Sequence, residues 1–176
     1  KNIVLKKWQK IGKTCFEHAD IILPICKYLE NRVNEHYPKK KTLTMYQGIN
    51  PDNWHQTEGM KLKHPCVGLL QGAWIWGKTQ EILTLKNVIE SLPEVTFYWA
   101  GDGPYRQKIT DELGKYKNFK WLGALQYPDQ VREYIASLDV YALASGIDMS
   151  PLTLQEAQLM KKPVIATNAG GIPELM

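Results

Sequence analysis

Val95-Thr-Phe-Tyr-Trp-Ala-Gly-Asp-Gly-Pro-Tyr-Arg-Gln-Lys-Ile-Thr-Asp-Glu-Leu-Gly-Lys-Tyr-Lys-Asn-Phe-Lys-Trp-Leu122 is the stretch whose reading decides the fold. Residues 95–100 are apolar, β-branched and aromatic, which predicts a buried strand. Gly101-Asp-Gly-Pro104 stops it, residues 104–114 predict a helix, and residues 118–122 return to strand. The same alternation continues on both sides. Upstream, Pro65 opens a strand over 66–70, followed by a helix over 78–91; downstream come helix 128–137, strand 139–143, helix 151–160 and strand 163–167. Regular β-α-β alternation with short loops predicts an α/β fold, a Rossmann-like parallel sheet with helices on both faces. Ligands on such sheets gather at the carboxyl ends of the strands.

Before this region the signals change. Val4, Trp8, Ile11 and Cys15 recur at helical steps and predict a helix over 3–16, and Ile25, Leu29 and Val33 predict another over 25–36. Short strands are expected at 20–24 and 43–46. Residues 52–64 are polar and irregular, a compositional seam between a remnant and a domain. The chain starts without an initiator Met and stops just after Gly-Gly-Ile-Pro-Glu-Leu, so it reads as a fragment whose Rossmann-like domain is truncated at its C-terminal end.

The 44% hydrophobic and 23% charged residues are those of an ordinary water-soluble domain. A net charge of +4 is too mild to mark a nucleic-acid binder, and the one dense basic run, Lys39-Lys40-Lys41, has no interleaved aromatics. No nucleic-acid partner is expected. No apolar run reaches the length of a membrane span, so association with a membrane surface is expected only through segments outside this chain. Cys15, Cys26 and Cys66 lack metal-ligand spacing and read as reduced thiols of a cytoplasmic protein. His18, His36, His55 and His64 are scattered without ligand-spaced partners, and no Asp-x-Asp pair is present. No metal and no cofactor are expected.

Chemistry concentrates near the C-terminus. Asp148 lies in the loop that enters a helix, and Glu156 lies inside that helix. The first N–H groups of a helix have no internal partners and carry partial positive charge, so Leu152 and Thr153 could offer amides to a phosphate. The carboxylates would repel a phosphate but accept hydrogen bonds from sugar hydroxyls. From spacing alone, Asp148 as a cap and Glu156 as a solvated helix residue explain the pair equally well.

Asp148 to Glu156-Ala157, followed by Lys162-Pro-Val-Ile-Ala-Thr167 and Ala169-Gly-Gly-Ile-Pro-Glu174, resembles the donor-site signature of the retaining glycosyltransferases of family 4, the group 1 glycosyltransferases with the GT-B fold. Tyr46-Gln-Gly-Ile-Asn-Pro-Asp-Asn-Trp54 is similar to that family's interdomain segment, and Trp99-Ala-Gly-Asp-Gly-Pro104 to its post-strand turn. The resemblance implies that residues 1–50 are the tail of an N-terminal domain plus the interdomain segment. Residues 51–176 would then be the C-terminal, nucleotide-sugar-binding domain.

By the same resemblance Glu156 accepts bonds from the nucleotide ribose and Asp148, where the family writes Glu, holds a donor-sugar hydroxyl. The amides of Met149 and Ser150 face the sugar, those of Leu152 and Thr153 a phosphate, Lys78 neutralises the diphosphate, and Gly123 and Leu125 flank the base. Leu69 occupies the position of the family's Arg, with Arg106 a substitute cation. The implied activity is metal-independent retaining transfer of a hexosyl group from a nucleotide-diphosphate sugar to an unknown glycan, lipid or small-molecule acceptor. The missing N-terminal domain is the implied partner, and the fragment alone is expected to be inactive. A donor-binding scaffold that has lost catalysis and a GT-B epimerase or phosphorylase are the rival readings.

Overall fold

The structure, a computed structural model, describes residues 2–176. The chain divides into two compact units, Lys1–Gln47 and Gly48–Met176. In the first, α1 (Asn2–His18) and α2 (Lys27–His36) match the periodicity closely. The expected strands at 20–24 and 43–46 do not form. A single parallel bridge joins Ile22 to Thr42. Pro24 has no N–H to extend such a ladder, and an isolated pair of short strands gains little. Lys40, from the basic run, donates to the carbonyl of Ala19 at 3.1 Å. The apolar stripe of α1 is exposed, with Val4, Trp8 and Ile11 all open.

The second unit is a five-stranded, wholly parallel sheet in the order β3-β2-β1-β4-β5. Its strands are β1 (Cys66–Leu70), β2 (Thr96–Ala100), β3 (Phe119–Gly123), β4 (Val140–Leu143) and β5 (Val164–Ala166), each within two residues of its expected bounds. Five helices accompany them: α3 (Trp76–Leu83), α4 (Lys86–Ser91), α5 (Arg106–Leu113), α6 (Asp129–Ala136) and α7 (Leu152–Leu159). The helix expected over 78–91 is two helices. At the break, Thr84 Oγ1 donates to Glu81 O at 2.6 Å and the Leu85 N–H turns back to Ile82 O at 3.1 Å. A threonine hydroxyl that competes for backbone carbonyls favours such a turn.

Strand alternation builds two cores. Phe97 and Trp99 of β2 point to the face covered by Ile82, Ile89, Ile109 and Leu113, from α3, α4 and α5. Tyr98 and Ala100 point to the other face, where α6 and α7 bring Tyr134, Ile135, Leu154 and Ala157. Burial on both sides is why β2 reads as an unbroken apolar run. Gly68 is needed in β1 because a Cβ there would lie 2.2 Å from the Leu138 side chain.

The strand order reverses between β1 and β4. Their pairing covers only Val67–Val140 and Gly68–Tyr141. On the other side of β1, at its seam with β2, the buried Tyr134 hydroxyl enters the sheet, accepting from Leu69 N at 3.0 Å and donating to Tyr98 O at 2.8 Å. Past Gly68 and Tyr141, β1 and β4 are no longer paired, and a crevice lies between their carboxyl ends.

Candidate functional site

A cavity of about 310 Å³ occupies that crevice. Leu70, Gln71 and Gly72 at the end of β1 form one wall; Leu143 of β4 and Asp148, Ser150, Pro151, Leu152 and Thr153 form the other, with Lys78 reaching in from α3. Five of the residues singled out from sequence, Lys78, Asp148, Ser150, Leu152 and Thr153, therefore line one space. Pro151 is the cap of α7, not its first residue, with an extended ψ of 111°. The N–H groups of Leu152 and Thr153 open the helix and have no partners within it.

The Asp148 loop is held from below. The Ser145 hydroxyl accepts from the N–H groups of Ile147 and Asp148, both at 3.3 Å, and Glu81 of α3 accepts from Gly146 N at 2.8 Å. Thr167, at the end of β5, accepts from Ser145 N at 3.0 Å and donates to Ser145 O. Gly170, at φ +56°, passes so close that a Cβ would lie 2.5 Å from Asp148 O. The Gly-Gly turn thus supports the cavity wall. Gly170→Ala is expected to cost about 2 kcal/mol, from a left-handed conformation that L residues resist plus displacement of the loop. Thermal unfolding checks this, and an unchanged melting temperature would show that the loop does not lean on the turn.

Lys78 Nζ donates to Asp148 Oδ1, with both side chains largely shielded from water. Lys78 is the one cation among the described residues that lines the cavity. Leu69, at the position resembling the family's Arg, is fully buried and packs into the α3–α5 core. The side chain at the mouth of β1 is instead Gln71. Its Nε2 donates to Ala144 O at 3.3 Å, bridging β1 and β4, while Oε1 is buried without a partner. Ser150 Oγ is likewise buried and unpartnered. Arg106 is held by Asp102 at 3.5 Å and lies over the Trp121 ring at 5.1 Å, and it does not line the cavity.

Glu156 sits in α7 behind this wall, 2% exposed. Burial raises its pKa to about 7, and the Tyr127 hydroxyl bonded to it pulls the value partly back. A mid-helix glutamate of an exposed face would show neither effect, so the solvated reading of Glu156 is excluded. Tyr127 is 61% exposed and sets its ring edge-on to Trp54 at 5.9 Å. Inside the site Tyr141 donates to Thr153 Oγ1 at 2.7 Å, and burial first, then the nearby carboxylates, drive its pKa upward.

Besides Glu156, three sequence candidates lie outside the cavity lining. The carbonyl of Gly123 accepts from Gly101 N at 2.8 Å, Leu125 packs on the α6–α7 core, and Met149 lies against Gly170. Gly101-Asp-Gly103 clasps the loop after β1: Asp102 O accepts from Ala73 N at 2.9 Å, and a Cβ on Gly103 would lie 2.5 Å from Ala73 O. It is a tight turn. Gln71, in the cavity lining, and Tyr127, bonded to Glu156, are the residues that sequence reading missed. The step from Gly123 to Tyr127 along one loop is the signal that pointed nearest to the second.

The model for glycosyl transferases group 1 matches residues 66–176. The chain is 33% identical over 100 residues to sulfoquinovosyl transferase SQD2 of Arabidopsis thaliana, covering 57% of this chain and 19% of that protein. It is 27% identical over 166 residues to the alpha-galactosylglucosyldiacylglycerol synthase of Streptococcus pneumoniae, covering 85% and 43%. It therefore spans less than half the length of these relatives. Among solved structures, Anabaena Alr3699/HepE in complex with UDP and glucose superposes with a TM-score of 0.67 at 21% identity, over 92% of this chain and 48% of that one. Sucrose-phosphate synthase of Thermosynechococcus elongatus gives 0.77 at 18% identity, over 93% and 44%. With its motifs matched across the whole sheet, the chain belongs to the group 1 glycosyl transferases and carries the Rossmann-like sheet of the GT-B fold.

Proposed function

We propose that this chain binds a nucleotide-diphosphate sugar in the cavity between β1 and β4 and supports retaining, metal-independent transfer of its hexosyl group to a glycan, lipid or small-molecule acceptor. The observation that carries the reading is the convergence of the Asp148 carboxylate, one ammonium group and the amides of a helix start in a cavity at the switch point of a parallel sheet, with the buried Glu156 carboxylate in the same helix behind the wall. The parts divide by charge. The Leu152 and Thr153 amides with Lys78 suit a diphosphate. Asp148 and Glu156 suit hydroxyls of sugar and ribose. Lys78 and Asp148 pair with each other, and a donor would separate them, giving the ammonium a phosphate and the carboxylate a sugar hydroxyl. As the diphosphate leaves, the amides and Lys78 stabilise the charge it gains, the task that a metal performs in other transferases.

UDP is bound in Alr3699/HepE, together with glucose, and in the pneumococcal O-GlcNAc transferase GtfA, together with GlcNAc, and both share this fold with TM-scores of 0.67 and 0.66. These neighbours favour UDP-sugars as the first donors to try. In this reading residues 51–176 form the donor-binding C-terminal domain and residues 1–50 lead into it from an N-terminal domain. The chain by itself binds donor and transfers nothing. A cytoplasmic setting accords with three free thiols.

One observation favours a second reading, a donor-binding module without turnover. Gln71 stands at the mouth of β1, where it supplies no positive charge to a leaving diphosphate. Titrating the full-length protein with UDP-, GDP- and ADP-sugars, while following nucleoside diphosphate release with and without acceptors, separates the two. Release that falls about a hundredfold in Lys78→Ala supports transfer. Donor binding with no release under any acceptor supports the module, and no binding of any nucleotide sugar rejects both.

A further inference from the structure

The amino-terminal edge of the sheet, opposite the cavity, gathers three side chains that the sequence scatters. His64 precedes β1, Cys66 begins it, and Asp139 precedes β4. His64 Nδ1 lies 2.8 Å from Asp139 Oδ2 and 3.6 Å from Cys66 Sγ. All three ligand atoms fall within 4.8 Å of one another. Cys66 is buried, whereas His64 and Asp139 are each about half exposed, at 51% and 48% of their side chains.

These separations are close to those around a four-coordinate zinc-type ion. Bonds of about 2.3 Å to sulfur and about 2.05 Å to nitrogen, at a tetrahedral angle, hold the two ligand atoms roughly 3.5 Å apart. The Cys66–His64 pair already has that spacing. The His64–Asp139 pair has to open by about half an ångström, to roughly 3.3 Å, and both side chains have solvent to move into. The same Asp139 oxygen also accepts from Cys66 N at 2.7 Å, which holds the carboxylate at the start of β1.

We propose that His64, Cys66 and Asp139 form a site for a zinc-type divalent ion, with water as the fourth ligand. A thiolate, an imidazole and a carboxylate together select such an ion over magnesium or calcium, which require oxygen ligands. On binding, the Cys66 thiol releases its proton to solvent, and His64 coordinates through Nδ1 with its proton on Nε2. The ion ties the start of β1 to the start of β4, the two strands whose opposite ends frame the cavity, so it is a structural clasp apart from the donor chemistry.

Cobalt(II) titration of the whole chain tests the site. One equivalent is expected to raise a thiolate-to-cobalt absorption in the near ultraviolet with the visible bands of a four-coordinate ion, and zinc is expected to displace it. His64→Ala, at an exposed position, is expected to weaken binding by about tenfold or more, and Cys66→Ala to remove the thiolate absorption. Absence of that absorption in the unaltered chain overturns the proposal, as does its survival in Cys66→Ala or undiminished affinity in His64→Ala. Circular dichroism verifies the fold of each variant. Should Cys66→Ala not fold, His64→Ala decides the matter.

Discussion

Glu156→Ala is expected to lower the affinity for UDP-glucose by roughly ten- to a hundredfold while leaving the fold intact. A carboxylate that accepts hydroxyl protons contributes about 1.5–3 kcal/mol, and each 1.4 kcal/mol is a factor of ten. Calorimetric titration with UDP-glucose at pH 8 reads the loss. Equal affinity in variant and parent would remove Glu156 from the site. The pKa of about 7 adds a second signature. Below that value the free protein holds Glu156 protonated, and a neutral carboxyl is a poorer acceptor. Affinity should therefore rise with pH by up to about tenfold per unit below 7 and level off above it. Glu156→Gln should bind weakly at every pH, with no such rise.

The same shift fixes a dependence of stability on pH. The folded value of about 7 lies above the ordinary 4.5, so between these limits the folded chain holds a proton that the unfolded chain has lost. Stability from this group then falls as pH rises from 4.5 to 7, by up to about 3 kcal/mol, because the charge must be kept out of water. Glu156→Gln should flatten that part of the curve and raise the melting temperature at pH 8. A preserved slope would place its cause in another group.

Trp99→Ala is expected to have the largest effect on stability, about 3–5 kcal/mol. The indole is fully buried in the central part of the sheet and stacks on Trp121 with ring centroids 6.2 Å apart. Its Nε1 donates to Gln71 O at 2.8 Å, so the variant loses both core volume and the anchor of the cavity's β1 wall. Trp99→Phe should retain much of the volume and lose the anchor, with a smaller loss of stability but weakened UDP-glucose binding. Denaturant unfolding of both variants provides the comparison. A Trp99→Ala chain within 1 kcal/mol of the parent is incompatible with this packing.

Much of the architecture was legible in the sequence because its causes are local. The run at 95–100 is apolar on both alternations because helices cover both faces of β2. The spacing of Ile82 and Ile89 follows the core that their helices share, but the break at Thr84 depends on one hydroxyl bond that periodicity does not register. Short strands at 20–24 and 43–46 had the composition of strands but meet in one bridge and join no sheet, a condition that composition cannot convey.

The site divides in the same way. Local order along the chain placed Asp148 ahead of a helix start and Glu156 one turn within it, and the motif around them identified the family. Which side chains face the ligand space depended on how distant segments meet. Leu69 and Gln71 are two positions apart, yet one is sealed in the core and the other reaches the mouth, because β1 ends between them. Tyr127 reaches Glu156 from 29 positions away only because the loop after β3 lies against α7. By itself the sequence determined most elements of the sheet domain, the parallel character of that sheet and the chemistry available at the start of α7, since hydrophobic period, turn residues and capping act over a few residues. Only the tertiary structure decided which groups are buried together: Lys78 on Asp148, Tyr127 on Glu156, and His64 with Cys66 beside Asp139. Burial and proximity across the sheet follow from the packing of the whole domain and from no single segment of it.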